Sequence, residues 1–404
     1  MKKLLTIIVG MVVIVVLLFI KNKEDIKRIK KAKILEIESH YNKYVITNKD
    51  SILYDLNNNK KGTISKNIEL VLESINDESF KIKDQDLYIE FSDVEKIDEL
   101  KGDDRYKNYI PFNINVKTKD VTNFLDENNN IVYSIDSSFD LPILIKDTDR
   151  YGVVYNNRLL YINTKDIDKL YNNENTELTN KDSIRTITYH FLYDPNKRSC
   201  DEAICLTIDK FEEQLKYIRE NNYFTLTLPE LELYMDGKLQ IPNNSIVLTI
   251  DDGTVIDSKV MELLDTYKVN ITMFLITSWI DKSTYSSKYI EFESHTHNMH
   301  NQYECPGYGL QGGGILCLPR DKVIEDLKLS IKALGGSKYF AYPFFDYNER
   351  AISILKEVGF HMAFVGALNT DGISTPGITD KFKMRRKTIF SDINLDRFIN
   401  EYLK

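Results

Sequence analysis

Three of the chain's six histidines lie within one short segment, "ESHTHNMHN", as His295, His297 and His300. Neutral imidazole and carboxylate groups are natural ligands of zinc, and a catalytic zinc takes about three protein ligands and a water. His295 and His300 are five residues apart, whereas side chains that share a helix face are three or four apart. The segment therefore predicts a metal site on a strand end or loop. The spacing alone does not decide which histidines hold the ion.

Two adjacent carboxylates can complete such a site. Asp251 and Asp252 end the apolar run "SIVLTIDDG", and Gly253 would relax the turn beyond them. Successive side chains point to opposite faces of a strand, so one carboxylate can face an ion while the other acts as a base. Aspartate is also a common helix cap after a strand. A cap needs only one aspartate, so the pair favours a functional site.

The elements that must position these residues can be predicted from about residue 183 onward. Apolar runs such as "ITMFLIT" alternate with segments of helical spacing such as "DKFEEQLKYIRENNY". This alternation indicates parallel βα units. Polar residues follow the apolar runs directly, as in a barrel whose site lies at the carboxyl ends of its strands. The predicted fold class is therefore α/β.

The N-terminal half contains an internal repeat. "LYDLNNNKKGTI" at 53–64 is similar to "FLDENNNIVYSI" at 124–135, and a second pair of segments repeats at a similar offset. Short runs rich in Val, Ile, Tyr and Phe, broken by Asn and Asp, predict two small all-β modules at 41–102 and 108–175. Their pattern resembles bacterial SH3-like domains, which in surface proteins often bind cell-wall peptide. Two β spacers between membrane and catalytic domain are the alternative.

The first residues predict a membrane anchor. The uncharged run from Leu4 to Ile20 is about the shortest that spans a bilayer as a helix. A secretory signal peptide is the alternative, but the run is long for one and no small-x-small cleavage site follows it. We predict an uncleaved transmembrane helix at 1–22 and a charged helical stalk at 23–40. Basic residues are more numerous after the run than before it, which alone would keep the body in the cytoplasm.

The cysteines and the net charge bear on location and partners. Cys200 and Cys205, and Cys305 and Cys317, are the two local pairs among the three connectivities that four cysteines allow. Disulfides at these pairs would close short loops and suit an oxidising exterior, whereas free thiols in a cytosolic enzyme are the alternative. We predict a single-pass cell-membrane protein whose catalytic domain faces outward to the cell wall. The net charge of −8 argues against nucleic acid as a partner.

The acidic pair and the histidine segment together resemble a known family. "TIDDG", followed roughly forty residues later by "SHTHNMH", is similar to the motifs T-F-D-D-G and H-[ST]-x-x-H of the polysaccharide deacetylases, carbohydrate esterase family four. The resemblance covers about 183–404 and implies a deformed (β/α) barrel with metal-dependent carbohydrate N-deacetylase activity. It implies that Asp251 is the catalytic base and that Asp252 and His295 bind the metal.

The second motif departs from the family pattern. Its usual second histidine would fall at Met299, and His300 follows one residue later. This shift resembles the exported, circularly permuted poly-N-acetylglucosamine deacetylase subgroup. The resemblance implies that His300 is the third ligand and His297 the spare histidine, with His297 as ligand the alternative. Zn²⁺ is the predicted metal, and Co²⁺ or Ni²⁺ would suit the same ligands.

The third motif, R-x-P-Y-G in the family, resembles "FAYPFFDYN". Ala341 stands in the place of the arginine and Phe345 in the place of the glycine. Phe344 follows the motif's Pro343, and its backbone N–H is the predicted oxyanion donor. The missing arginine removes the group that orients the catalytic aspartate in the family.

Two further residues are predicted to complete the machinery. Arg385 or Arg386, in "KMRRKTI", can replace the missing arginine. We predict that Arg386 is the residue that does so. The permuted subgroup carries its general-acid histidine at the start of the domain, where "ITYH" ends at His190. We predict that His190 is the acid, with an ordinary strand-end histidine as the alternative. His361 is predicted to be structural.

The predicted function is a membrane-anchored, metal-dependent polysaccharide N-deacetylase that acts on the N-acetylglucosamine of peptidoglycan. Its predicted partners are the cell-wall glycan and the membrane, which the N-terminal helix would enter. Deacetylation of a secreted or wall-attached poly-N-acetylglucosamine is one alternative. A catalytically inactive cell-wall-binding protein is the other, because the motif arginine is missing and the second histidine is shifted.

Overall fold

The computed structural model describes residues 23–25, 27–28, 43–76, 79–102, 104–173, 181–253, 258–305, 309–366 and 371–403. The predicted anchor and most of the predicted stalk lie outside these residues. Within the described residues, no helix is long and apolar enough to cross a membrane. The chain divides into two compact units, one within 1–107 and 111–176 and the other of 108–110 and 177–404.

The N-terminal unit is built of short antiparallel strands. Its described strands are β1 Tyr44–Thr47, β2 Ser51–Tyr54, β3 Lys60–Ile64, β4 Glu69–Asn76, β5 Ser79–Ile82, β6 Tyr88–Glu90, β7 Val94–Lys96, β8 Ile114–Thr118, β9 Thr122–Leu125, β10 Ile131–Ile135, β11 Asp140–Pro142, β12 Ile145–Lys146, β13 Arg150–Tyr155, β14 Arg158–Asn163 and β15 Ile167–Asn172. One sheet has the order β12-β13-β14-β9-β10-β3-β2-β6-β5-β4-β1-β7, and a second has β11-β8-β15. The pairing of β10 with β3 joins the two sequence repeats in one sheet.

The repeated Asp-x-Asn-Asn-Asn segments form the same turn twice. Asp55 Oδ1 accepts hydrogen bonds from the backbone N–H of Asn57 and Asn59, both at 2.9 Å. Asp126 makes the equivalent bonds in the second repeat. Aspartate favours such turns because its side chain bonds to the backbone two residues on. The repeat thus encodes a recurring β-hairpin, while the SH3-like identity of the two modules stays a prediction.

The C-terminal unit alternates strands with helices. Its described strands are β16 Ile184–Tyr189, β17 Phe191–Tyr193, β18 Cys205–Thr207, β19 Phe224–Thr225, β20 Ser245–Ile250, β21 Ile271–Leu275, β22 Ile290–Ser294, β23 Gln302–Cys305, β24 Gly309–Gly313, β25 Tyr339–Ala341, β26 Met362–Gly366, β27 Ile373–Ser374 and β28 Met384–Thr388. Its described helices are α1 Ile208–Glu220, α2 Leu228–Met235, α3 Ser258–Tyr267, α4 Gly314–Cys317, α5 Arg320–Leu334, α6 Glu349–Val358 and α7 Leu395–Arg397.

Seven of these strands close into a parallel barrel. Their order is β16-β20-β21-β22-β25-β26-β28, and β28 pairs with β16 to complete the ring. Every residue of β20, β21 and β26 is buried, as expected for parallel strands covered on both faces. The predicted (β/α)-barrel architecture is therefore confirmed. Closure brings the carboxyl ends of β16, β20, β22 and β25 to one end of the barrel.

Candidate active site

His190 and Asp251 are neighbours because their strands pair in register. β16 and β20 are parallel, with Tyr189 opposite Ile250, so the residues that follow lie side by side. The Asp251 backbone N–H donates to the Tyr189 carbonyl at 3.0 Å, and His190 Nε2 lies 4.0 Å from Asp251 Oδ2. Within the described residues, His190 Nδ1 is buried and has no hydrogen-bond partner. Burial lowers the pKa of His190, and the nearby carboxylates of Asp251 and Asp252 oppose this effect.

Arg386 holds the Asp251 carboxylate with two parallel hydrogen bonds. Nη1 donates to Oδ1 at 2.6 Å and Nη2 to Oδ2 at 2.8 Å, the bidentate geometry that planar guanidinium favours. Arg386 is fully buried, and Nη1 also lies 3.3 Å from the Thr188 hydroxyl. Arg385 is half exposed and lies 3.6 Å from Asp371 instead. Of the two predicted replacements for the family's arginine, Arg386 is the one that contacts Asp251.

The Arg386 charge keeps Asp251 ionised in a buried position. Burial raises the pKa of Asp251. The charge of Arg386 and, after it, that of His295 lower the pKa by more than burial raises it, so the pKa lies below its usual range. The guanidinium also lies 5.5 to 6.0 Å from the ring centres of Phe274, Phe345 and Phe364. Aromatic faces attract a cation at these distances. Phe345, which replaces the motif glycine, therefore packs against the residue that replaces the motif arginine.

Asp252, His295 and His300 converge on one point. One ligand atom from each, all within 4.8 Å of one another, could surround a single ion. Nε2 of His295 and Nε2 of His300 lie 3.3 and 3.1 Å from Asp252 Oδ1. Burial raises the pKa of Asp252, but the two imidazoles lower it more, so the carboxylate is ionised. Two His nitrogens and one carboxylate oxygen are the donor set of many catalytic zinc sites.

The local geometry fits a metal better than a hydrogen-bonded cluster. Among the described residues, the buried Asp252 Oδ1 has no hydrogen-bond partner, although two ring nitrogens lie close to it. His295 Nδ1 lies 2.8 Å from the Ala341 carbonyl oxygen, to which only a protonated Nδ1 can donate. This tautomer leaves the Nε2 lone pair free for an ion, and such a bond orients the ring of a metal-ligating histidine. The residues present therefore fit a divalent cation.

Met299 explains the shifted histidine. Its side chain is buried in the apolar cluster that includes Ile315 and Val323, and its N–H donates to the Thr296 hydroxyl at 3.2 Å. The loop therefore turns Met299 into the core and brings His300 to Asp252. His297 points elsewhere, with Nδ1 2.9 Å from the Thr277 hydroxyl. The three-residue cluster thus contains His300 and leaves out His297.

The loops of the site hold unusual backbone conformations. Positive φ angles occur at Asp252 (72°), Thr296 (84°), Phe344 (56°) and Phe345 (60°). Non-glycine residues rarely adopt this region, and such strain concentrates at active sites. The four residues follow the carboxyl ends of β20, β22 and β25, so strand-end turns direct the polar groups of the site.

Phe344 lies beside the candidate metal ligands. Its ring centre is 4.5 Å from that of His300, and Pro343 before it is buried. The Phe344 backbone N–H makes no hydrogen bond to the backbone of another described segment. The strained turn therefore places Phe344 next to the candidate ligands, and its role as an oxyanion donor stays a prediction.

The remaining predicted residues lie outside this cluster. Cys200 is joined to Cys205 and Cys305 to Cys317 by disulfide bonds. His361 Nδ1 lies 3.0 Å from a Glu232 carboxylate oxygen. Sequence reasoning missed Trp279, whose ring centre is 5.6 Å from that of His300. Its position just after the apolar run "ITMFLIT" was the available signal.

Comparison with known proteins matches the part of the chain that contains Asp251, Asp252, His295 and His300 to a known family. Residues 238–363 match the family model for polysaccharide deacetylases, which confirms the predicted family for this domain. A curated relative, the poly-beta-1,6-N-acetyl-D-glucosamine N-deacetylase of Staphylococcus aureus (strain MRSA252), is 27% identical over 176 residues. The match covers 38% of this chain and 59% of the relative. The chain thus spans about three fifths of the curated relatives that it matches.

Two solved structures are also similar. A de-N-acetylase from Aggregatibacter actinomycetemcomitans is 16% identical, with a TM-score of 0.47, over 54% of this chain and 99% of that one. A polysaccharide deacetylase from Bacillus cereus is 17% identical, with a TM-score of 0.45, over 85% of this chain and 99% of that one.

Proposed function

We propose that this chain, which carries a polysaccharide deacetylase domain at residues 238–363, is a metal-dependent N-deacetylase of an N-acetylglucosamine polymer. The observation that carries the proposal is the convergence of Asp252, His295 and His300 next to the Asp251–Arg386 pair. This arrangement places three candidate metal ligands next to Asp251, an ionised carboxylate that is not one of the ligands and can accept a proton. Amide hydrolysis by an activated water needs both.

Asp252, His295 and His300 would hold the cation, which when bound lowers the pKa of water and polarises the acetamide carbonyl. Asp251 is the base that accepts the proton of the attacking water. Arg386 donates one hydrogen bond to each carboxylate oxygen, and each oxygen keeps a second lone pair with which to accept a proton. The bidentate bond also fixes the direction in which the carboxylate faces.

His190 and Phe344 complete the proton and charge balance. As the C–N bond breaks, the imidazole of His190 donates a proton to the leaving nitrogen, which yields acetate and a free amine. The Phe344 N–H donates to the oxygen on which negative charge develops. His190 Nε2 and Asp251 Oδ2 lie 4.0 Å apart, so the proton that Asp251 accepts would return to the imidazole through one intervening water after each turnover.

The Asp251–Arg386 pair supports an active enzyme over an inactive wall-binding protein. The missing motif arginine was one of the two reasons to consider inactivity, and a buried guanidinium from β28 takes its place at Asp251. Burying a charged pair costs free energy unless its geometry is excellent. Apolar residues of similar volume in place of both partners are often as stable as a buried ion pair, so keeping the pair supports a role in catalysis.

Two polymers are candidate substrates. The curated relative is named for poly-β-1,6-N-acetyl-D-glucosamine, which favours that polymer. Peptidoglycan is the candidate that follows from the predicted anchor and the predicted wall-binding β modules. We propose that the enzyme acts outside the cell membrane, where both polymers occur, and that the anchor at 1–22 retains it there.

Acetate release tests the function and separates the substrates. The zinc-loaded full chain is incubated with poly-β-1,6-N-acetylglucosamine and, separately, with purified peptidoglycan, and acetate is measured. Release from either polymer that chelation abolishes supports the proposed activity, and the faster polymer identifies the substrate. Absence of acetate with both polymers and with Zn²⁺, Co²⁺ and Ni²⁺ would contradict it.

A further inference from the structure

The single tryptophan of the chain lies beside the candidate metal ligands. Trp279 follows β21 and is 54% exposed. Its ring meets that of His300 edge to face, with 69° between the planes, and Phe344 packs on His300 as well. A large aromatic ring that is exposed next to a polar site can serve as a binding surface, because burying it in a complex gains free energy.

The Trp279 loop is tied to the loop that carries the histidines. The Thr277 N–H donates to the Thr296 carbonyl at 3.1 Å, and the Ser278 N–H donates to the His297 carbonyl at 2.9 Å. These bonds run between the segments that follow β21 and β22. They set the position of Trp279 relative to the candidate metal ligands.

The side chain of His297 adds a third tie between the same loops. Its Nδ1 lies 2.9 Å from the Thr277 hydroxyl, two residues before Trp279. The Asp326 carboxylate accepts the N–H groups of His297 and Asn298 at 2.7 and 2.8 Å and so anchors the histidine loop to α5. The spare histidine therefore links the tryptophan loop to an anchored segment.

The chemistry of the site indicates what the indole would bind. The C–H groups on the face of a pyranose ring pack against aromatic side chains. Of the aromatic side chains, tryptophan has the largest ring system. We propose that Trp279 binds the glycan by packing against a sugar ring at or next to the residue that is deacetylated. His297 is the positioning residue that holds the Trp279 loop in place. This inference rests on the proposed function, since it takes an N-acetylglucosamine polymer as the ligand.

Kinetics of Trp279 variants test the binding role. Trp279→Ala is expected to raise KM for an N-acetylglucosamine oligomer about tenfold, the effect of losing one aromatic contact. Trp279→Phe should raise it less, because a smaller ring remains. Leu329→Ala removes a similarly exposed apolar side chain on α5 and should leave KM unchanged. A KM for Trp279→Ala equal to that of the wild type would overturn the proposal.

Fluorescence gives a second readout that does not need turnover. Because Trp279 is the only tryptophan, selective tryptophan excitation reports on this site alone. In Asp251→Asn, which should bind without hydrolysis, the oligomer should change the emission saturably, with the midpoint that calorimetry gives for binding. Binding by calorimetry with no change in emission would contradict contact between the sugar and Trp279.

Two variants test the positioning role of His297. His297→Ala and Thr277→Val each remove the link between the loops, and both should raise KM for the oligomer more than they lower kcat. The double variant should be no worse than either single one, because both changes remove the same bond. Additive effects, or a fall in kcat alone, would contradict the positioning role.

Failure of this inference can be told apart from failure of the proposed function. If the wild type releases acetate but the Trp279 and His297 variants match it in KM, only the inference is wrong. If the wild type releases no acetate from any polymer, the proposed function is wrong. In that case an unchanged emission with the oligomer would reject the glycan-binding role as well.

Discussion

At the scale of single residues, Asp251 is defined by its two neighbours. A fully buried guanidinium fixes its carboxylate, and an imidazole lies 4.0 Å away. The same carboxylate in water would rotate freely. Here Arg386 sets its direction and holds its pKa below the usual range. Loss of this pair should therefore affect both stability and catalysis.

Arg386→Met should destabilise the fold by about 3–5 kcal/mol, because it leaves a buried carboxylate without its partner. Chemical denaturation measures this change, and the exposed Arg385→Met is the matched control, expected within about 0.5 kcal/mol of the wild type. In an Asp251→Asn background, Arg386→Met should lower the free energy of unfolding clearly less, because no buried carboxylate is left unpaired. An equal cost in both backgrounds would show that lost packing, and not the unpaired charge, is responsible.

The same variant should change the pH profile. Arg386 is the main charge that lowers the pKa of Asp251, and a base acts only when it is unprotonated. The acidic limb of kcat/KM should therefore move to higher pH in Arg386→Met, while Arg385→Met keeps the wild-type limb. A limb that stays in place would argue that Asp251 is not the titrating base.

The choice between His297 and His300 is also a question at this scale. His300→Ala should weaken zinc binding by more than about 100-fold, the upper end of what losing a hydrogen-bond partner of a ligand costs. His297→Ala should keep the ion, because its imidazole bonds to Thr277. Metal analysis after dialysis measures both. Loss of zinc from His297→Ala but not from His300→Ala would reverse the assignment.

At the scale of elements, strand ends and the turns beyond them build the site. His190, Asp251 and His295 each follow a parallel strand directly. Left-handed backbone at Asp252, Thr296 and Phe344 then directs the groups that follow. The barrel strands therefore set the positions of the site residues, and the strained turns after them set the directions in which the side chains point.

Gly253 shows how tightly one such turn is packed. Its φ is +65°, and an added Cβ would lie 2.2 Å from Leu275 Cδ2. Gly237, at φ +70° with nothing within 4 Å of the same position, is the matched control. Gly237→Ala should cost about 1–2 kcal/mol for the left-handed conformation, and Gly253→Ala about 1–3 kcal/mol more for crowding. Equal losses of unfolding free energy would show that Leu275 moves aside freely.

Much of the site could be predicted from the sequence, because strand-end carboxylates and histidines leave a clear pattern. The alternation of strands and helices predicted the barrel, and the motifs pointed to the residues now found together. Other features depend on contacts between distant segments. Arg386 reaches Asp251 across 135 positions, so the sequence offered two candidates. Trp279 and Thr277 meet the histidine loop only when β21 and β22 are paired, so their importance was missed.

At the scale of the whole molecule, the chain combines a β-rich unit with a barrel unit. The role of the β-rich unit is predicted from its repeat, and the location of the protein is predicted from its N-terminal apolar run and its cysteines. Both disulfides belong to the barrel unit. Disulfides persist in oxidising compartments, which agrees with the proposed position outside the membrane.

Thiol labelling on cells tests that position. If the barrel unit is outside, its four cysteines should resist a maleimide reagent after denaturation, and should react only after reduction. External protease should also degrade the unit on intact cells. Four reactive thiols without reduction, together with protection from protease, would place the unit in the cytoplasm.

The central claim is that Asp252, His295 and His300 hold an ion that works with Asp251. The most direct measurement is acetate release from an N-acetylglucosamine polymer as zinc is added back to the metal-free full chain. Activity should rise to a plateau at one zinc per chain, and Asp251→Asn should bind the same zinc without releasing acetate. Full activity without metal, or undiminished activity in Asp251→Asn, would contradict the account.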